Sequence, residues 1–201
     1  MTSAWPFDPL PPFAHDVVVL DPPWHFDLRS AKGEAKSPQA QYATMSLAEV
    51  KRLPVGDLVA PGGIVILWTT WPLVAIGAHV DVIAAWGLKP VSGGGWAKRT
   101  INDKLRWGPG YVARSVHEPY IIASLPDADW RGAAFPNLVE TFEALSLDGL
   151  AREHSRKPDE FYGLVERAWP DARRADLFAR QSRPGWATWG NQASLFDGPA
   201  A

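Results

Sequence analysis

Asp21-Pro22-Pro23-Trp24 is the stretch of this sequence best suited to chemistry. It follows the apolar run Val17-Val18-Val19-Leu20, which predicts a buried strand. Two consecutive prolines cannot continue a sheet. The strand must therefore end in a stiff corner at its carboxyl end, where open α/β sheets hold their ligands. The corner's polar groups are a carboxylate and two carbonyls beside an indole face. Neither proline has an N–H, so the corner mainly accepts hydrogen bonds. That suits a flat ligand offering an amino group, such as adenine. Taken alone, four such residues are equally compatible with a capped turn around a packed tryptophan.

The elements that position this corner are legible on both sides. Residues 1–15 form an irregular, proline-containing lead-in carrying Trp5, Phe7, Phe13 and His15. Residues 25–41 are polar and aperiodic and read as a mobile active-site loop, since long loops in compact domains are often functional. Ser46 followed by Glu49 is a capping box and predicts a helix over 47–60, interrupted at Pro54. Gly62-Gly63 leads into a second apolar strand, Ile64 to Trp68. Pro72 opens a helix whose stripe is Leu73, Ile76, Val80, Ile83 and Ala84, stopped by Gly87. Strands are expected at Ser92–Ala97, Glu118–Ser124, Leu138-Val139 and Ala175–Ala179. Pro158 opens a last helix, with Asp159 and Glu160 favoured in its first turn and Phe161, Leu164, Val165 and Ala168 facing inward. Alternating strands and helices predict an α/β fold around a mostly parallel sheet.

Bulk properties exclude several classes. The 201 residues suggest a single domain, and 46% apolar with 21% charged residues is ordinary for a globular protein. Net charge is −2, so any nucleic-acid site must be a local patch. The most basic segment runs from Trp96 to Arg114, where Lys98, Arg99, Lys104, Arg106 and Arg114 face a single Asp103, with Trp107 and Tyr111 interleaved. It is either a phosphate-contacting surface or a solvated loop. There is no cysteine, which removes disulfides, thiolate nucleophiles and the covalent route to 5-methylcytosine. The five histidines lack metal-ligand spacing, so no metal is expected. Phosphate-loop, dinucleotide-fingerprint and nucleophile-elbow motifs are missing. No apolar stretch reaches membrane-spanning length and no signal peptide opens the sequence, so a cytoplasmic protein, a monomer or homodimer without membrane contact, is expected.

Further motifs follow the corner in order. They are Tyr42-Ala43-Thr44-Met45-Ser46, Gly62 to Trp68, His154-Ser155-Arg156-Lys157-Pro158-Asp159-Glu160, Leu177-Phe178-Ala179-Arg180, and Gly185-Trp186 through Gly190-Asn191-Gln192. This ordered set, from about residue 17 to 192, resembles the MT-A70 family of S-adenosylmethionine-dependent adenine-N6 methyltransferases. The resemblance implies a Rossmann-like methyltransferase fold over residues 1–201, with S-adenosylmethionine as cofactor. It places Asp21, Pro22, Pro23 and Trp24 at the catalytic corner. Asp21, Lys157, Asp176, Phe178, Arg180, Asn191 and Gln192 fall on cofactor-binding positions, with Asp176 toward the ribose. A lysine at a helix start suits the methionine carboxylate. Tyr42 joins Lys98, Arg99, Lys104 and Arg106 as expected nucleic-acid contacts. Two departures stand out: Asp176 replaces a longer glutamate, and the segment from Arg180 to Gly185 is shorter than in eukaryotic members. The lead-in is too diverged to place the contacts to the cofactor's adenine; Phe7 and Asp8 are the candidates.

The expected reaction is direct methyl transfer to the exocyclic amine of adenine. Asp21 and the Pro22 carbonyl would each accept one N6 hydrogen, and Trp24 would stack on the base. The expected partner is DNA, on the analogy of compact bacterial or phage members, with a flipped base if the substrate is duplex. RNA is the alternative within the same chemistry. A catalytically silent nucleic-acid-binding homologue is the alternative outside it.

Overall fold

The fold was derived from a computed structural model, which describes residues 5–25, 44–100, 102–108, 112–128, 134–142, 156–195 and 197. Strand β1 (His15–Leu20) leads to helix α1 (Leu47–Arg52), a 3₁₀ turn at Val55–Leu58 and strand β2 (Val59–Trp68). Helices α2 (Trp71–Ala75) and α3 (Ala78–Ala85) follow, then strands β3 (Lys89–Arg99), β4 (His117–Ser124) and β5 (Leu138–Phe142). Helix α4 (Asp159–Ala168) and strands β6 (Arg174–Leu177) and β7 (Trp186–Trp189) complete the order.

The seven strands form one sheet in the order β5-β3-β4-β2-β1-β6-β7. β1 pairs in parallel with β2 and β6, β6 with β7, and β3 with β5. β4 runs antiparallel between β2 and β3. The mostly parallel, Rossmann-like sheet expected above is therefore present, with one reversed strand inside it. Both faces are covered, which is why β1 reads as an unbroken apolar run. Val18 and Leu20 pack with Val50 of α1 and Val82 and Ile83 of α3. Val17 and Val19 pack on the other face with Phe161 and Val165 of α4.

Local signals explain most boundaries. The Ser46–Glu49 capping box is formed in both directions. The helix expected over 47–60 stops at Arg52, because a residue before proline is pushed out of the helical region and Leu53 is extended. The second helix is split at Gly77, whose φ of +73° is left-handed, and Gly87 ends α3 as expected. β2 starts at Val59, earlier than its glycines suggested. β7, which the terminal motif did not announce, lies at the sheet edge beyond β6.

Candidate active site

The chain runs outward from β1 in one direction through β2 and returns to its other side with β6. The crevice between the carboxyl ends of β1 and β6 is thus a topological switch point. Asp21 emerges there from β1, and Asp176 and Phe178 emerge from β6. The corner is held rigidly. The Trp24 N–H donates to the Pro22 carbonyl at 2.8 Å, and the Met45 N–H donates to the Pro23 carbonyl at 2.7 Å. The Trp24 indole N–H donates to the Trp68 carbonyl at 3.2 Å, tying the corner to β2.

Trp24 is only 5% exposed and packs in the core, where it braces the corner. Pro22 is buried beneath it and Pro23 is half-buried. The two carbonyls are each already engaged once, which leaves one lone pair apiece.

The Asp21 carboxylate does not stand alone. Lys157 Nζ lies 2.9 Å from Asp21 Oδ2 and 3.0 Å from Glu118 Oε2, and Lys98 Nζ lies 3.1 Å from Glu118 Oε1. Four charges thus run in a chain from the corner to β3. Beneath Lys157 lies an aromatic floor: its ammonium is 5.1 Å above the Trp68 ring, which packs edge-on against Tyr120 and Phe161. Burial would raise the Glu118 carboxyl, but Lys157 and then Lys98 overcome it and hold it at about 2. Burial would lower the Lys157 ammonium, but Asp21 and Glu118 hold it well above the ordinary lysine range. Asp21 is raised by burial, which Lys157 offsets only in part while Glu118 adds to the rise. One lysine shared by two carboxylates leaves Asp21 as the more basic of the two.

On the β6 side, Asp176 is buried. Its Oδ2 accepts from the Tyr162 hydroxyl at 2.9 Å and from Arg183 Nη1 at 3.4 Å. Burial raises its carboxyl to about 7, against the pull of Tyr162 and Arg183. Asp21, Lys157, Asp176, Phe178, Arg180 and Arg183 line one narrow, open cleft. Phe178 sits at φ +59°, a left-handed conformation that turns the chain out of the strand and along the cleft wall. Gly190 permits this, because a Cβ there would lie 3.0 Å from Phe178 Cα.

The structure therefore brings Asp21, Lys157, Asp176, Phe178 and Arg180 together. Asn191 and Gln192 lie in the turn just past β7 and are not among the residues lining this cleft. Phe7 is fully buried, its ring against Trp5 and Trp189, so it is closed to ligand. Asp8 is exposed on a turn.

Of the expected nucleic-acid contacts, Lys98 is committed to Glu118 and lies 4.1 Å over the Trp96 ring. Arg99 pairs with Glu140 at 2.7 Å and Asp103 at 3.3 Å. Lys104 and Arg106 are exposed, and the Arg106 N–H donates to the Lys98 carbonyl at 2.8 Å. Tyr42, like most of 25–41, lies outside the described residues. Three residues of the site escaped the sequence reading: Glu118, Tyr162 and Arg183. Glu118 stood at the start of a predicted strand and Tyr162 next to the predicted stripe of α4. Neither carried a local signal of its partner, 39 and 14 residues away.

The MT-A70 family profile matches residues 15–192. The chain is 29% identical over 180 residues to the N(6)-adenosine-methyltransferase MT-A70-like protein of Arabidopsis thaliana, covering 88% of this chain and 23% of that protein. It is 29% identical over 189 residues to the N6-methyladenosine RNA methyltransferase MTA1 of Cryphonectria parasitica, covering 92% and 53%. It is 24% identical over 185 residues to the human N(6)-adenine-specific methyltransferase METTL4, covering 90% and 38%. The chain thus spans about a quarter to a half of the length of these relatives. Among the described residues, no helix is long and apolar enough to cross a membrane.

Proposed function

The chain belongs to the MT-A70 family, and from that premise we propose that it methylates the N6 amine of adenine in a polynucleotide, with S-adenosylmethionine as donor. The observation that carries this reading is the placement of the Asp21 carboxylate, braced by Lys157 at 2.9 Å, at the mouth of the switch-point cleft that also holds Asp176.

The residues present fit the donor that the family uses. Asp176 is a buried carboxylate at the end of a strand, suited to a vicinal diol. Lys157 has three ammonium donors. Two are directed at Asp21 and Glu118, leaving one for a ligand carboxylate. Phe178 and Arg180 would form the remaining wall. When bound, S-adenosylmethionine would supply an electrophilic methyl group on a sulfonium.

The chain's own groups prepare the amine. Adenine N6 is a weak nucleophile because its lone pair is delocalised into the ring. Asp21 and the free lone pair of the Pro22 carbonyl would each accept one N6 hydrogen, drawing the nitrogen toward tetrahedral geometry. Acceptors fixed where positive charge develops stabilise that change without reorganising. The raised proton affinity of Asp21 makes it a strong acceptor and a late sink for the released proton. Rigidity of the corner contributes through positioning.

DNA is the first substrate proposed. RNA is the second, favoured by the RNA named for the Cryphonectria relative. Transfer of labelled methyl groups to matched DNA and RNA oligonucleotides tests both. Incorporation into adenine N6 of DNA supports the first, incorporation confined to RNA supports the second, and incorporation into neither ends the enzymatic reading.

A further inference from the structure

Arg183 lines the cleft but takes no part in the donor and base contacts proposed above. It lies in the short turn between β6 and β7, a segment pinned by Ser182, whose N–H and hydroxyl bond both oxygens of Asp197 at 2.7 and 2.8 Å. From there its side chain, only 10% exposed, reaches inward. Its guanidinium lies 3.6 Å from the Tyr162 ring centroid, Nη2 bonds Asp159 at 2.9 Å, and Nη1 points at Asp176 Oδ2. Its Nε is buried with no partner. A surface staple would not need a nearly buried arginine stacked on a tyrosine and directed at a third residue.

We propose that Arg183, together with Tyr162, is a positioning residue that favours the ionised form of the Asp176 carboxylate and orients it as the acceptor for the sugar diol of the methyl donor. This inference rests on the donor site proposed above. The physical reason is the cost of burying a carboxylate without compensation. Tyr162 supplies one neutral donor and Arg183 the charge. Burial raises the carboxyl to about 7 against the pull of Tyr162 and Arg183, and Arg183 at 3.4 Å is longer than an optimal charge-assisted bond. Two diol hydroxyls donating to the carboxylate would tip the balance to the ionised form. The other charged groups around Asp176 are Asp21 from the β1 corner, Arg156 and Lys157 before α4, Arg180 after β6, and Asp159 behind Arg183.

Donor affinity should then be coupled to the Asp176 proton. Calorimetric titration of S-adenosylhomocysteine, between about pH 6 and about pH 8, into the native chain should show affinity rising with pH. Arg183→Met should weaken binding at neutral pH by about tenfold and displace the rise to higher pH. Arg183→Lys should restore part of both. Tyr162→Phe, which removes a single hydroxyl and keeps the packing, should displace the rise in the same direction by less. The proposal is overturned if Tyr162→Phe and the arginine variants keep the native pH profile, or lose affinity by the same factor at every pH. Absence of binding by the native chain would instead remove the donor site itself.

Discussion

Lys157 and Lys98 grip the same carboxylate, one oxygen of Glu118 each, yet they belong to two different regions. Lys157 stands in the cleft between β1 and β6 with 9% of its side chain exposed. Lys98 stands on the outer part of the sheet near β5 and is 30% exposed. In the cleft, charges are few, shared and mutually dependent: Asp21 needs Lys157, and Asp176 leans on Tyr162 and Arg183. On the outer part of the sheet Arg99 has two carboxylates to pair with, Glu140 and Asp103. Buried charges must be compensated and so fix geometry. Exposed pairs are worth little and exchange partners readily.

The sharpest way to break this contrast is at Asp21. Asp21→Asn keeps the shape but replaces an acceptor oxygen with a donor, and should lower single-turnover methyl transfer by at least about 10²-fold, while S-adenosylhomocysteine binding measured by calorimetry stays within about threefold. An equal loss of both would place Asp21 in donor binding alone.

A smaller effect separates the two lysines directly. Lys157→Met should reduce unfolding free energy by about 3 kcal/mol, and Lys98→Met by under about 1 kcal/mol, in denaturant titrations at neutral pH. Equal costs would erase the distinction between the regions. Glu118 reports the same network through pH. Its folded value of about 2 lies below the ordinary 4.5. The stability it contributes is therefore present above about pH 4.5 and lost as pH falls toward 2. Glu118→Gln should flatten that acid limb of the stability curve.

The smallest effect belongs to the outer edge. Lys98→Ala combined with Arg106→Ala should leave stability nearly unchanged, weaken oligonucleotide binding and make the salt slope shallower by about 1 to 2. An unchanged slope would remove these residues from the nucleic-acid surface.

Much of this was written locally. The apolar run and the prolines determined β1 and its corner, the Ser46–Glu49 pair determined the start of α1, and the order of motifs along the chain determined the family. Each depends on neighbours within a few residues, where backbone sterics and hydrogen-bond capacity act without the rest of the fold. The split of a helix at Gly77 was less visible, because the apolar stripe continues through it.

Only the tertiary structure decided which charges meet. Reversal of β4 placed Glu118 beside a lysine 39 residues later. The return of β6 beside β1 set Asp176 near Asp21. The packing of α4 put the Tyr162 hydroxyl on Asp176, and the fold buried Trp24 in the core. Spacing along the chain determines which side chains share a strand or helix face. The proton affinity of a carboxylate depends on solvent exclusion and on charges a few ångströms away, and those distances come into being only when the sheet closes.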